Sequence, residues 1–365
     1  MQSIGIDLGA TQSHVFICGD DGTGLAQTVR TPELGRWLKK QPISRVVMES
    51  CTQSRAVALL AKQAQHDTVI VPAHFVRSLG VGRRGIKTDK KDAEVLALAG
   101  QRSPDLPSVY LRTETAEARR ELVSARALLI AHRTAVVLHL KCVMRGRLMR
   151  LKGRFNPAQF AALMREALVQ DPRGIATAQV AMLQTFEDLN AQIKFLDDEI
   201  KAIAKQDASC QRAMTVPGVG PMIAVAFVAH LDDPHRFASA EAVASYLALV
   251  PGEMTTGGKI KRTGTIHSGP THLKALLVQA AWSMWRSRPE HAAVLWARGI
   301  AARRGKRIAI VALARKIATM LWAMLKHETN YEAVRGAREL TAAQRDALPA
   351  TDLARRTDGR KADDV

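Results

Sequence analysis

The sequence predicts three parts in succession: an α/β domain over residues 1–114, a helical coiled-coil insertion over 115–210 and a mostly α-helical segment over 211–330, with a polar tail at 331–365. Three observations predict it. Short apolar runs alternate with helical ones up to about residue 115. Apolar residues then recur at coiled-coil spacing, and beyond residue 210 the pattern turns helical behind a Gly/Pro-rich turn. At 365 residues the chain exceeds what one core supports, roughly 250 to 300 residues.

In the first part, residues 3–8 and 13–18 read as strands, with Gly19, Asp20, Asp21 and Gly22 as the hairpin signal before a third strand at 26–30. A helix from about Glu33, a strand at 45–49, a helix at 54–65 and a strand at 67–71 follow. Three strands in a meander and then alternating strands and helices is the order of a ribonuclease-H-like domain, in which antiparallel and parallel strands share one sheet.

In the second part, Leu122, Leu129, Val136 and Val143 recur every seven residues, and Leu189, Ile193, Leu196, Ile200 and Ile203 step by four and three. That is a coiled-coil seam. Gly153, Pro157, Pro172 and Gly174 punctuate the region between, so an antiparallel arm projecting from the first domain is expected. Residues 119–154 carry ten basic side chains and one acid, Glu121, which reads either as a solvated face or as a nucleic-acid contact.

Lys and Arg number 53 against 34 for Asp and Glu, a formal net charge of +19. With 47% hydrophobic residues this excludes a disordered chain and implies a polyanionic partner. The tail is charge-balanced, so the excess lies in segments that fold; residues 211–340 carry +10 of it. Aromatic residues are only 4%, so backbone charge should count for more than base stacking. Cys18, Cys51, Cys142 and Cys210 are too dispersed for a zinc cluster and read as reduced, mostly buried thiols of a cytoplasmic protein. The N-terminus has no signal-peptide pattern, and the most apolar helical stretch, 308–325, is interrupted by Arg315 and Lys316; no membrane role is expected.

Four carboxylates stand out. Asp7 and Glu49 end apolar strands, while Asp89 and Asp92 lie three apart at a helix start and so share a helical face. In a ribonuclease-H-like sheet they would form one pocket, and hard oxygen ligands suit Mg²⁺, two of which can activate a phosphodiester. Singly, each acid reads more readily as a turn or cap residue than as a catalytic one; it is the four in this order that point to a site. Lys87, Lys90 and Lys91 flank the helical pair, useful beside a phosphate backbone. The run from Ile4 to Thr11 also looks like the first phosphate loop of actin-like kinases, but the second phosphate loop and adenosine motif such kinases need are missing. Residues 216–221, Val-Pro-Gly-Val-Gly-Pro, suit either a phosphate-facing turn or a packing turn, and a basic run at 303–307 precedes an apolar helix. His267 and His272 read as ordinary polar residues, and Trp282, Trp285, Trp296, Trp322, Met320 and Met324 as helical core.

The strand with Asp7, the strand ending in Glu49, the run Lys87-Thr88-Asp89-Lys90-Lys91-Asp92-Ala93, the turn at 216–221 and the segment 246–251 together resemble the DEDD transposases of insertion sequence family 110, relatives of the pilin-gene invertases. The likeness spans residue 1 to about 325. It implies a RuvC-like N-terminal domain whose Asp7, Glu49, Asp89 and Asp92 hold Mg²⁺ or Mn²⁺, a coiled-coil insertion for homo-oligomerisation as dimer or tetramer, and a helical C-terminal transposase domain. DNA is the implied partner, with a bridging guide RNA in some members.

The family's C-terminal domain also contributes a serine nucleophile, and here the matching stretch, residues 251–259, has threonine. Thr256 is the candidate hydroxyl, with Ser268 as the fallback; Lys259, Lys261 and Arg262 stand nearby to grip phosphates. A threonine methyl crowds the attacking oxygen. A Holliday-junction-type nuclease using water, and a catalytically silent nucleic-acid binder, therefore stand as rival readings.

Overall fold

Ile4 and Ile6 are fully buried on one side of strand β1 (Ser3–Asp7), and Ser3 and Gly5 point the other way, so β1 is covered on both faces. The computed structural model describes residues 1–20, 23–79, 88–149, 156–169, 177–256, 259–266 and 269–331. Two units emerge by packing, Met1–Arg112 and Thr113–Val365.

The first unit is a five-stranded sheet in the order β3-β2-β1-β4-β5, with β2 (Gln12–Cys18), β3 (Gly24–Arg30), β4 (Arg45–Glu49) and β5 (Asp67–Val71). β1, β2 and β3 pair antiparallel; β4 is parallel to β1, and β5 to β4. A one-turn 3-10 helix (Thr31–Glu33) leads into α1 (Leu34–Leu38). With α2 (Ser54–Gln63), α1 packs over Ile4, Ile6, Val46 and Met48. Gln65, at φ 66, breaks the chain away just beyond that helix. After the single turn α3 (Ala73–Val76), helix α4 (Asp89–Arg102) covers the opposite face.

Two glycines bring α4 against the sheet. A Cβ on Gly5 would lie 2.0 Å from the Ala93 carbonyl oxygen, and one on Gly100 would lie 2.5 Å from both Ser3 and Val47. Helix α4 therefore runs antiparallel to β1, starting over the strand's C-terminal half. Arg45 holds the other end: its guanidinium donates to the carbonyls of Gly100 (3.3 Å), Ser103 (3.2 Å) and Pro104 (2.6 Å).

In the second unit, α5 (Glu114–Gly146) and α7 (Thr177–Gln206) form an antiparallel pair, with α6 (Pro157–Val169) packed near its outer end through Phe160 and Phe186. Its register is written in polar rungs. Arg119 meets Asp207 at 2.8 Å, Arg126 meets Asp197, Arg133 donates to Asn190 at 3.0 Å and Arg147 to Gln179 at 3.4 Å. Four of the ten basic residues in the run are thus engaged within the arm. Thr113 caps α5 and donates through both its N–H and its hydroxyl to Asp232, at 2.7 Å each.

The core of this unit surrounds α9 (Pro221–Leu231), apolar on every side, with α8 (Ala208–Met214), α10 (Ala240–Tyr246), α11 (Thr271–Ser287), α12 (Ala292–Arg304) and α13 (Lys306–Lys326) around it. α5 and α13 are long and apolar enough to cross a membrane by length and composition, but α13 is a core helix here and α5 lies along α7.

Within the segment expected to be mostly helical, and found so, the sequence did not mark a hairpin of β6 (Pro251–Thr256) and β7 (Lys259–Thr265). Two expectations need correction. Cys51 and Cys142 are exposed, so only Cys18 and Cys210 are buried thiols. Trp296 is 45% exposed and so is not a core residue, whereas Trp285, Trp322 and Met324 are buried.

Candidate active site

Side chains alternate across a strand, so Asp7 emerges on the same face as Ser3 and Gly5, the face covered by α4. Gly5 pairs with Val47 in parallel register, which puts Glu49 beside Asp7 on the same face, one strand spacing of about 4.8 Å away. Helix α4 begins over this end of the sheet. Thr88 caps it, its hydroxyl accepting from the Lys91 N–H at 3.4 Å, and this sets Asp89 and Asp92 in the first turn, where the helix N-terminus favours negative charge. Asp92 is turned inwards, 5% exposed, while Asp89 is exposed. Three separate elements thus bring all four predicted acids to one end of one sheet.

Electrostatics reports their proximity. Burial first, then the charges of Asp89, Asp92 and Glu49, push the Asp7 carboxyl from 3.8 up to about 6, with His14 opposing. Among the described residues no three His, Cys, Asp or Glu side chains are drawn together into an ion's ligand set. The acids share a field without closing on a point. Their donor chemistry, oxygen alone, suits a hard divalent cation.

Sequence reasoning missed His14. It sits directly across from Asp7 in the β1–β2 pairing, between the Thr28 hydroxyl at 3.2 Å and the Asp89 carboxylate at 3.8 Å. Counting residues across the hairpin loop would have found it, since 7 and 14 are cross-strand partners. Lys90 and Lys91 are exposed; Lys90 lines a small cavity of ≈ 80 Å³ with His14, Gln27 and Thr28. Lys87 lies outside the described residues.

In the second unit, Thr256 is the last residue of β6 and pairs with Lys259 across the hairpin tip; Lys261 pairs with Met254 and Arg262 with Glu253. Lys274 fastens the base of this hairpin, donating to the Thr265 hydroxyl at 2.6 Å and the Ile266 carbonyl at 3.3 Å. Ser268 and His267 lie outside the described residues. In the turn at 216–221, Gly218 packs closely on α11: its φ is 87°, and a Cβ there would lie 2.6 Å from the Ala280 carbonyl oxygen, which leaves no room for a side chain.

The comparisons with known proteins fall on both units. Residues 4–148 match a DEDD-type IS110 family model described as "Transposase", and residues 210–295 match one described as "Transposase IS116/IS110/IS902 family". A probable family 20 transposase of Pseudomonas aeruginosa is 29% identical over 81% of this chain and 88% of that protein. The transposase for insertion sequence element IS1328 of Yersinia enterocolitica is 28% identical over 90% of this chain and 98% of its own length. The transposase for IS1111A of Coxiella burnetii is 33% identical over a shorter stretch, 37% of this chain and 38% of that protein. The acid-bearing sheet and the Pro-Gly-Val-Gly helical segment each fall within a matched region, and the full-length relatives join them in one protein: the chain belongs to the IS116/IS110/IS902 family of insertion-sequence transposases, enzymes that act on DNA.

Proposed function

We propose that this transposase cuts and rejoins DNA strands at the ends of its own element in a divalent-metal-dependent reaction, with Asp7, Glu49, Asp89 and Asp92 as the Mg²⁺ or Mn²⁺ ligands. The observation that carries this reading is the convergence of four carboxylates from β1, β4 and the first turn of α4 on one sheet end. The strand order, three antiparallel strands followed by two parallel ones, supports a RuvC-like assignment for the first unit. Bound there, a divalent cation supplies Lewis acidity toward the scissile phosphate and offsets the mutual repulsion of the acids. Asp92 is fixed by burial and Asp89 is steadied by His14, while Lys90 and Lys91 hold backbone phosphates next to the acids.

The Thr256 hydroxyl is the nucleophile in this reading, with Ser268 as the fallback. Its oxygen attacks phosphorus, the strand's leaving oxygen departs, and the resulting phosphoester is resolved when a DNA hydroxyl attacks in turn. Lys259, Lys261 and Arg262 on β7 supply charge for the phosphates, and the surplus of +19 over the whole chain suits polyanionic partners, a guide RNA as well as DNA. Homo-oligomerisation through the arm is supported by apolar side chains left in solvent, Leu128 at 57% and Leu138 at 62% exposure on α5, with Phe195 on α7.

The test is a plasmid carrying the element ends, incubated with protein and Mg²⁺ or Mn²⁺. Cleaved strands and a covalent adduct mapped to Thr256 are expected, and Asp89→Asn or Asp92→Asn should yield neither. Threonine in place of serine favours one rival: cutting that persists in Thr256→Ala with no adduct anywhere would make water the nucleophile and the enzyme a structure-specific nuclease. Full activity in both Asp variants would remove the carboxylate site itself.

A further inference from the structure

The basic run at 303–307 lies outside the chemistry argued above, and its surroundings give it a role. Lys306 opens α13, and its ammonium stands 5.5 Å from the ring centres of both Trp282 and Trp285 on α11. The two rings differ. Trp285 is buried in the core, but Trp282 is only half-buried and faces an open groove of ≈ 680 Å³ lined by Ile223, Gln279, Trp282, Ser283 and Arg286. Gln279, Trp282, Ser283 and Arg286 follow at i, i+3, i+4 and i+7, so a single face of α11 makes one wall, and Ile223 in the first turn of α9 contributes from the other.

The groove's chemistry is specific. It offers an aromatic surface, two side chains that hydrogen-bond, and a guanidinium at one end; Lys306 stands over one face of the aromatic ring, leaving the other for a base, and exposed Arg303, Arg304 and Arg307 adjoin it in the chain. Between Gln279 and Arg307 the chain carries seven basic residues and one acid, Glu290. A duplex buries its base faces in its own stack and presents no free π-surface to a ring on a groove wall. An unpaired strand does, and alternates it with the phosphates that arginine and lysine hold.

We propose that this groove between α9 and α11 is a binding site for a single-stranded segment of nucleic acid, one base stacking on Trp282 and the adjoining phosphates held by Arg286 and Lys306. The inference goes beyond the carboxylate chemistry and needs no metal. Its occupant is an unpaired strand, drawn either from opened DNA or from RNA.

The experiment is fluorescence anisotropy of the full-length protein in EDTA, so that failure of the metal reading leaves it unaffected. Labelled oligothymidylate, oligouridylate and a DNA duplex are titrated in parallel. Trp282→Ala should weaken single-strand binding roughly tenfold while leaving duplex binding near wild type, and Trp282→Phe should retain most of the affinity. Arg286→Gln should lower the slope of log affinity against log salt by about 0.7 on single strands. The tighter of the two oligonucleotides identifies the source. Ultraviolet cross-linking of an iodouracil-containing strand to the wild-type protein, independent of any variant's folding, should label the α11 peptide carrying Trp282. Unchanged single-strand affinity in Trp282→Ala, an equal loss on duplex and single strands, or cross-links confined to other peptides would each overturn the proposal.

Discussion

Gly5→Ala isolates what holds the four acids together. Strand propensity alone argues that alanine should stabilise β1, because glycine weakens a strand interior. The structure argues the opposite sign: the new Cβ would stand 2.0 Å from the Ala93 carbonyl oxygen and 2.4 Å from the Ala97 nitrogen, both backbone atoms that no rotamer can move. Ordinary contact begins near 3.4 Å, so α4 must withdraw by more than an ångström. Overpacking of this kind costs about 1–3 kcal/mol, which for a domain of this size lowers the melting temperature by roughly 5–20 °C. The same withdrawal carries Asp89 and Asp92 away from Asp7 and Glu49, and a displacement of about 1 Å in a catalytic constellation costs on the order of 100-fold in rate. Gly220→Ala is the control, because nothing lies within 4 Å of its would-be Cβ. Circular-dichroism melts and metal-dependent plasmid cleavage on the two variants make the comparison. A Gly5→Ala protein that melts and cuts as the wild type does would refute the close approach of α4 and the carboxylate geometry built on it.

Other outcomes follow from the same structure. Asp7 holds its proton more tightly folded than unfolded, so its favourable contribution is present below about pH 4 and lost as pH rises through about 6. In EDTA, Asp7→Asn should therefore melt above the wild type at pH 7.5 and level with it near pH 4, and Mg²⁺ should close the gap at pH 7.5 by stabilising the wild type; parallel pH profiles in EDTA would contradict the crowding of charge at Asp7. In the arm, Arg126→Ala and Asp197→Ala should each destabilise, with a coupling of roughly 0.5–3 kcal/mol in a double-mutant urea cycle; independent effects would deny the rung between them. Leu138→Glu should leave the monomer folded but shift light-scattering mass from oligomer to monomer; an unaltered mass would mean that the exposed face of α5 is not the interface.

The strands of the first unit were legible because apolar runs bounded by turn residues leave little choice, and the α4 start was legible because Thr88, a capping residue type, precedes two acids in the first turn. The clustering of the acids followed from strand order. What the sequence could not reveal was the pitch of α4 on the sheet, since nothing marks Gly5, inside a strand, or Gly100, inside a helix, as points of close approach until their contacts are seen. The β6–β7 hairpin escaped for a related reason: glycines at 252, 257, 258 and 264 obscure the period-2 pattern that marks a strand. In the arm, the heptad located the helix but not what its flanking arginines face. Arg119, Arg126 and Arg133 repeat at the seam's own period, and only the partner helix shows that they point to Asp207, Asp197 and Asn190. His14 was hidden because histidine in a strand carries no pattern of its own; its meaning comes from the residue opposite.

The clasp of Thr113 by Asp232 fixes the root of α5 to the residue that caps the end of α9, where the backbone turns at φ 59. From that anchorage α5 runs for 33 residues, about 50 Å, stiffened along its length by its polar rungs to α7. The root of this rod is thereby tied to the helix whose first turn borders the Trp282 groove, so the arm and the groove wall share one anchored element.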